Sequence, residues 1–458
     1  MAKKPVNKGE IITMKLDNLA YGGDMVGRVD NFAIFVSGGL PGEIVKVKIT
    51  QVKKNYGRGK LVDIVEPSQY RITAPCDVYT GCGGCQLQHA DYQQQLKFKR
   101  QIVEDAMERI GGLEDVTVHP PLASDQQFYR NKAQFPLGVQ INDKGEEEIV
   151  TGFYAPGSHD IIPNDNCQIQ HPLINRIVRE TLKILNQEGI SVYNEELHKG
   201  LLRHLVVRVG VCTNQGMLVF VTNGDKFSEG EKIANMLLDR IPELNSVLQN
   251  INTQKTNRVM GNRTRLIAGS EKIIDYIGKL KFEISARSFF QVNTLQSKVL
   301  YDKVLDYAQL SGEELVLDAY CGIGTISLYL AQQAGVVHGI EVVQEAIKDA
   351  EMNSSLNGLE NTFFYTGLVE KILPRLVDDG LEFDVVVVDP PRKGCHEDVL
   401  KAFGETGPDR IVYVSCNPTT LARDIKELVE YGYRVEEIQP VDMFPHTFHI
   451  ENVALLVK

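Results

Sequence analysis

From about residue 295 onward, short and strongly apolar stretches alternate with amphipathic ones, and this alternation constrains the chain more than any other feature. ELVLDAY leads into GTISLYLAQQ, VVHGIE leads into AIKDAEMNSSLNG, and FDVVVVD and RIVYVS follow. Strands with no polar face must be covered on both sides, which calls for helices above and below a parallel sheet. The pattern therefore predicts an α/β fold with a doubly wound parallel sheet. Such sheets bind ligands in the crevice at the carboxyl ends of their strands.

Upstream the texture differs. Residues 8–66 break into EIITMKL, AYGGDMVGRV, FAIFVSGGLPGEIVKVKIT and GRGKLVDIVE, short strands at close spacing that predict an OB-like β-barrel. The whole chain carries a net charge of −11, yet residues 1–65 hold 11 Lys/Arg against 6 Asp/Glu. A basic module on an acidic body can grip a polyanion locally; a solvated charged surface is the plain alternative. Lys53, Lys54, Tyr56 and Arg58 read as one loop able to hold phosphates and stack a base. Residues 125–285, with HLVVRVGVC and EKIANMLLDRI, read as mixed α/β. The expected division is a barrel over 1–70, a central α/β domain over 71–92 and 125–285, a helical segment over 93–124 packing on the last domain, and that domain over 286–458. No run of 18 uncharged apolar residues occurs and no apolar core follows the basic start. The expectation is a cytoplasmic protein with no membrane contact, a monomer by default.

Three places carry chemistry. In LDAYCGIGTISL, Gly322 and Gly324 fall between a strand and a helix, where a ligand can approach the backbone; Glu341, ending the next strand, suits ribose hydroxyls. Asp389 in FDVVVVDPPRKG stands at the mouth of a buried strand, where an unpartnered carboxylate is costly. Together these fit an adenosyl cofactor better than a phosphate-rich one. Cys416, in RIVYVSCNP, lies just past the following strand, exposed for nucleophilic attack. Glu451, between apolar stretches, is the candidate general base because burial raises a carboxyl pKa; His446 and His449 are alternative proton carriers. Cys212 and Cys321, in or beside apolar strands, read as packing residues. Cys76, Cys82 and Cys85 fall within ten residues, a clustering that points to metal rather than disulfides. Their C-x5-C-x2-C spacing with one distant cysteine admits a Zn tetrahedron or a 4Fe–4S cube.

Gln291 in SFFQVN, the DAYCGIG loop, Glu341, DPPRKG, SCNP and HIE, in this order, resemble the RNA uracil-C5-methyltransferases along essentially the whole chain. The resemblance implies a Rossmann-like class I methyltransferase domain, an N-terminal TRAM barrel, and a central domain with a 4Fe–4S cluster on Cys76, Cys82, Cys85 and Cys167. It implies that Gln291, Tyr320, Glu341 and Asp389 bind S-adenosylmethionine, with Cys416 as nucleophile and Glu451 as base. Bacterial members with both TRAM and cluster modify 23S ribosomal RNA, whereas the transfer-RNA enzymes lack both. Through LRHLVVRVG, NINTQKTN and ARSFFQVN the chain resembles Gram-positive enzymes that methylate two uridines. Thr325 replaces an Asn of some relatives, and DPPRKGC differs from their DPAR form. The rival readings are a transfer-RNA uracil methyltransferase, a non-catalytic iron–sulfur RNA-binding assembly factor, and a cytosine-C5 methyltransferase.

Overall fold

The computed structural model describes residues 4–458; Lys3, one of the basic residues counted in the N-terminal stretch, lies outside the described residues. Six strands build the N-terminal module: β1 (Ile11–Lys15), β2 (Asn18–Leu19), β3 (Met25–Val29), β4 (Phe32–Ser37), β5 (Ile44–Val52) and β6 (Tyr56–Glu66). They pair in the order β1-β5-β6-β4-β3-β2. In β5 the two-residue period turns Val45, Val47 and Ile49 inward and Lys46 and Lys48 outward. Gly27 lets β3 cross β1 so closely that a Cβ would lie 2.2 Å from the Lys15 carbonyl oxygen, which curls the sheet. One expectation is corrected here. Tyr56 and Arg58 belong to β6 rather than to a loop, and Arg58 donates to Asp24 at 2.8 Å, leaving Lys53 and Lys54 in the turn. The carboxylate of Asp24 outcompetes solvent for the guanidinium.

Next comes α1 (Tyr92–Ala106), capped by the Asp91 carboxylate, which accepts from the Gln93 and Gln94 amides. It widens into a π-helical turn over Met107–Gly111. Phe98 and Ile102 join the barrel core, whereas Val103, Ala106 and Met107 join the core of the C-terminal module. The helix is thus a wedge between them. The short β7 (Thr117–Val118) then adds itself to an edge of the C-terminal sheet.

The central sheet has the order β10-β9-β8-β11-β12-β13-β14. Its strands are β8 (Lys132–Ile141), β9 (Glu147–Tyr154), β10 (Ile161–Pro163), β11 (Leu202–Gly210), β12 (Gln215–Thr222), β13 (Leu244–Ile251) and β14 (Arg263–Gly269). Helices α2 (Pro172–Glu188) and α3 (Gly230–Arg240) supply Ile177, Val178, Ile233 and Leu237 to its core. Cys212, expected among apolar strands, is exposed in the β11–β12 turn. At Gly210 a Cβ would lie 2.2 Å from the Ile274 carbonyl oxygen, and the chain turns outward there. The hairpin β15 (Ile273–Ile277) and β16 (Leu280–Ile284) leads to α4 (Thr294–Ala308).

The remaining elements are β17 (Leu315–Ala319), α5 (Thr325–Ala331), β18 (Val336–Glu341), α6 (Gln344–Leu356), β19 (Thr362–Thr366) and α7 (Val369–Asp378). Then come β20 (Val385–Val388), α8 (Glu397–Thr406), β21 (Arg410–Ser415), α9 (Pro418–Glu430), β22 (Arg434–Val441) and β23 (Glu451–Val457). They form an eight-stranded sheet in the order β19-β18-β17-β20-β21-β23-β22-β7. Both faces are covered: Val385 and Val387 of β20 pack into one core, Val386 and Val388 into the other. The sheet is parallel from β19 to β21 and again between β22 and β7, but not across β23, which corrects the expectation of a parallel sheet throughout. β23 inserts antiparallel between β21 and β22, because the short turn region 442–450 returns the chain directly beside β22. Among the described residues no helix is long and apolar enough to cross a membrane.

Candidate active site

Strand order reverses between β17 and β20, the position at which doubly wound sheets open a ligand crevice. The turn leaving β17 carries three residues in the left-handed region: Tyr320 at φ 68°, Gly322 at 56° and Gly324 at 81°. A tyrosine there stores about 1–3 kcal/mol. A Cβ on Gly322 would have nothing within 4 Å, so the turn is open on that side. Beneath it, Asp318 is buried and accepts from the Ser327 hydroxyl, but its Oδ1 has no partner. Burial pushes Asp318 up to about 7. Glu341 ends β18 and accepts from the Val343 amide at 2.9 Å. Asp389 follows β20, and burial pushes its carboxyl up to about 7 as well. Carboxyls held near neutrality beside an open turn, one with an unpartnered oxygen, fit a cationic ligand with polar groups, which S-adenosylmethionine is.

The other predicted cofactor residues are placed less directly. Burial raises the phenol of Tyr320, with Cys395 adding to the effect, and its backbone holds the strained φ of 68° at the turn. Gln291 is buried in the loop before α4, and its carbonyl accepts from Asn131 at 2.8 Å. Among the described residues no hydrogen bond joins its side chain to Tyr320, Glu341, Asp389, Cys416 or Glu451.

Next to that crevice, strand register brings two distant residues together. β21 and β23 pair Val414 with Val453 and Ser415 with Asn452, and the Asn452 amide group donates to the Ser415 carbonyl at 3.1 Å. One step further along the same ladder stand Cys416 and Glu451. Asp389 leaves the adjacent β20, where Val388 pairs with Tyr413. Burial pushes Glu451 up to about 8, reinforced by Asp389 and opposed by Arg392. Burial also pushes the Cys416 thiol up to about 11, with Glu451 and Asp389 adding to it and Arg392 again opposing. His446 and His449 are lowered to about 4 by burial. Of the three proton carriers considered, Glu451 is therefore the strongest base. Arg392 and Asp318 were not singled out from the sequence, although both lie inside quoted motifs. Asp318, like Asp389, is a carboxylate at the carboxyl end of a buried strand.

The loop between β22 and β23 that delivers Glu451 is held from outside. The Gln86 and Leu87 amides both donate to the His446 carbonyl, at 2.9 and 2.8 Å. His446 sits at φ 68°, and its own amide donates to Gln95 at 3.0 Å. Tyr129 donates to the Pro445 carbonyl at 3.0 Å. Lys99 and Asp442, both fully buried, pair at 2.6 Å, and Tyr92 donates to the same carboxylate.

Two of these clamps originate at the cysteines. Cys76, Cys82, Cys85 and Cys167 line one cavity of about 430 Å3, together with Tyr79, Arg130 and Lys132. Burial pushes Cys85 up to about 12 and Cys167 up to about 11. Gln86 follows Cys85 directly, and Tyr129 packs against Cys167. The donor set, four soft thiols on one cavity, suits a thiolate-bound metal centre. As placed, no three of the described His, Cys, Asp or Glu side chains close on a common point.

With this geometry in view, comparison with known proteins is informative. The family described as tRNA (Uracil-5-)-methyltransferase matches residues 91–458, and the TRAM domain matches residues 5–62. An uncharacterized RNA methyltransferase of Bacillus cereus is 49% identical over 99% of this chain and 98% of its own length. One of Enterococcus faecalis is 47% identical over 100% of this chain and 99% of its own. The crystal structure of Pyrococcus abyssi tRNA (uracil-54, C5)-methyltransferase, in complex with S-adenosyl-L-homocysteine, superposes with a TM-score of 0.77. It is 29% identical and covers 97% of this chain and 100% of that one. The chain thus belongs to the tRNA (uracil-5-)-methyltransferase family of S-adenosylmethionine-dependent RNA uracil-C5 methyltransferases, with a TRAM domain at its N-terminus and a class I methyltransferase fold.

Proposed function

We propose that this enzyme forms 5-methyluridine in 23S ribosomal RNA, at one or two uridines, with Cys416 as nucleophile and Glu451 as base. The observation that carries this reading is the β21–β23 register, which sets Cys416 against Glu451 beside the cofactor crevice. In it Gln291, Tyr320, Glu341 and Asp389 hold S-adenosylmethionine, and Asp318 adds an unpartnered acceptor. Uracil C5 is too weak a nucleophile to take a methyl group unaided. The Cys416 thiolate adds to C6, making an enolate with electron density at C5. When bound, S-adenosylmethionine would supply the electrophilic methyl carbon for that C5, with the neutral thioether as leaving group. The Glu451 carboxylate then takes the C5 proton, the C6–S bond breaks, and the ring regains its double bond with the thiolate released. The thiol must first ionise; Arg392 and the positive charge of the cofactor both favour that, against the burial that opposes it. The target base must leave any stack to reach Cys416, which favours loops or remodelled RNA.

In the same reading Cys76, Cys82, Cys85 and Cys167 hold a 4Fe–4S cluster, with Arg130 and Lys132 beside the cavity to offset its negative charge. Such a cluster, bound to all four thiolates, supplies structural cross-linking here rather than electron transfer. Gln86, next to Cys85, and Tyr129, packed on Cys167, hold the loop that carries Glu451, and a cluster on those thiols would fix both in place.

A basic barrel together with the four cysteines supports ribosomal RNA, by the resemblance to bacterial enzymes carrying both. Transfer RNA is the second reading, because the archaeal enzyme that matches 97% of this chain is named for a transfer-RNA position. Whole-chain architecture therefore does not separate the two. Total RNA from a strain lacking this gene, incubated with protein and methyl-labelled cofactor, separates them. Label in one or two defined 23S fragments, absent with Cys416→Ala, supports the first reading. Label confined to transfer RNA selects the second, and no label on either leaves a binding protein.

A further inference from the structure

The barrel reaches further into the active site than an RNA-gripping module needs to. Between β2 and β3 the chain makes a tight turn over 20–24, in which the Ala20 amide donates to the Asp24 carbonyl at 2.9 Å and the Gly23 amide to the Ala20 carbonyl at 3.1 Å. Gly22 at φ 117° and Gly23 at φ 90° shape its tip. The turn is pressed onto the catalytic module: a Cβ on Gly23 would lie 3.0 Å from both Gln86 and Phe448. Beside it, the Tyr21 ring meets Phe448 edge-on, with centroids 5.6 Å apart and planes at 87°. Phe448 in turn lies 4.1 Å from the His449 ring, two residues before Glu451.

Tyr21 is only half-buried, and among the described residues its hydroxyl makes no hydrogen bond. Burial raises its phenol, with Cys416 and Glu451 adding to the effect and Arg392 opposing it. A residue that served only to glue the barrel down would bury its ring against Phe448 and gain nothing from a hydroxyl left without a partner beside the loop that carries Glu451.

We propose that Tyr21 is a substrate-positioning residue, its ring forming a wall of the pocket that receives the target uridine and its hydroxyl donating a hydrogen bond to that nucleotide. The TRAM domain then supplies part of the reaction chamber, in addition to affinity for the RNA backbone. An RNA that engages the barrel is thereby delivered to a pocket whose last wall the barrel itself provides. The inference rests on Cys416 and Glu451 being the reacting pair.

Tyr21→Phe tests it, because that variant keeps the ring contact with Phe448 and removes only the hydroxyl. Methyl transfer to unmodified total RNA is measured under saturating cofactor, alongside the cofactor dissociation constant and the melting temperature. The expected result is a roughly 3- to 10-fold loss in kcat/KM for RNA, the effect of one hydrogen bond, with cofactor binding and melting unchanged. Tyr21→Ala, which also removes the wall, loses roughly 5- to 150-fold. Wild-type turnover by Tyr21→Phe overturns the proposal. So does a loss matched by weaker cofactor binding or a lower melting temperature, which would mark a structural role. Cys416→Ala runs in parallel: normal turnover there overturns the reading of the reacting pair and this proposal with it. Loss there beside an unaffected Tyr21→Phe overturns this proposal alone.

Discussion

The two halves of the crevice lie side by side on one sheet edge and are assembled by different means. On the cofactor side, β17, β18 and β20 each hand their functional residue to a turn that leads straight into the next helix. Tyr320, Gly322 and Gly324 all lie within nine residues of β17. On the reacting side almost every contact is remote. Cys416 and Glu451 meet through β21 and β23, while His446 is held by Gln86, Leu87 and Gln95. Asp442 is paired with Lys99, 343 residues away in sequence. A site made of local turns fails when one turn is altered. A site made of remote contacts is exposed to changes far outside it, and such contacts are also the slower ones to form.

That contrast can be broken or sharpened by substitution. Cys416→Ala should reduce methyl transfer by on the order of 10^4-fold or more while leaving cofactor affinity intact, read by equilibrium binding and labelled transfer. Glu451→Gln should cost about 10^2- to 10^4-fold. It should also accumulate a protein–RNA adduct resistant to denaturing gels, since the methylated ring cannot lose its C5 proton; an inactive variant without adduct would speak against Glu451 as base. Lys99→Met leaves Asp442 buried and unpaired, destabilising the junction by about 3–5 kcal/mol. The comparison predicts that this variant loses turnover before it loses cofactor binding. Gly324→Ala acts on the other half. Its φ of 81° and the Ala350 side chain 3.1 Å from the new Cβ oppose it, at about 1–3 kcal/mol. Cofactor affinity should fall, with the rate at saturating cofactor nearly unchanged.

The smallest effect concerns pH. Asp318 and Asp389 at about 7 and Glu451 at about 8 lie above ordinary carboxyl values. The folded state therefore binds these protons more tightly than the unfolded one, and stability should fall as pH rises from about 5 to 8. Bound S-adenosylmethionine, being cationic, should reduce that fall. Melting curves at both ends of the range, with and without cofactor, check the sign. Turnover should rise with pH below about 8, because both the Glu451 carboxyl and the Cys416 thiol must be ionised.

The same contrast explains what the sequence revealed. The buried strands, the glycine turn, Asp389 and Cys416 were legible because hydrophobic period and turn chemistry are local signals. Glu451 was legible as a carboxyl between apolar stretches, but its place beside Cys416 was not, since no local period encodes an antiparallel insertion. Lys99 was not singled out, and only the structure shows it fully buried against Asp442. Arg58 read as a free cation, yet Asp24, 34 residues away, already holds it. Tyr21 was not singled out, because its neighbours in space come from the loop before β23, more than 400 positions later.

The position of β23 has a consequence for how the enzyme comes into being. It is the last of the described strands to be synthesised, yet it occupies the interior of the sheet, between β21 and β22. A nascent chain that has emerged as far as α9 holds the cofactor turn and Cys416 but not Glu451, the base of the proposed mechanism. Until β23 threads into place, its gap exposes two unpaired strand edges, a hazard for association with other chains. The insertion must also land in register, because a slip of one residue would turn the Glu451 carboxyl to the opposite face of the sheet. On the proposed mechanism, ability to complete a methyl transfer waits on this pairing, and misthreaded molecules are inert instead of wrongly active.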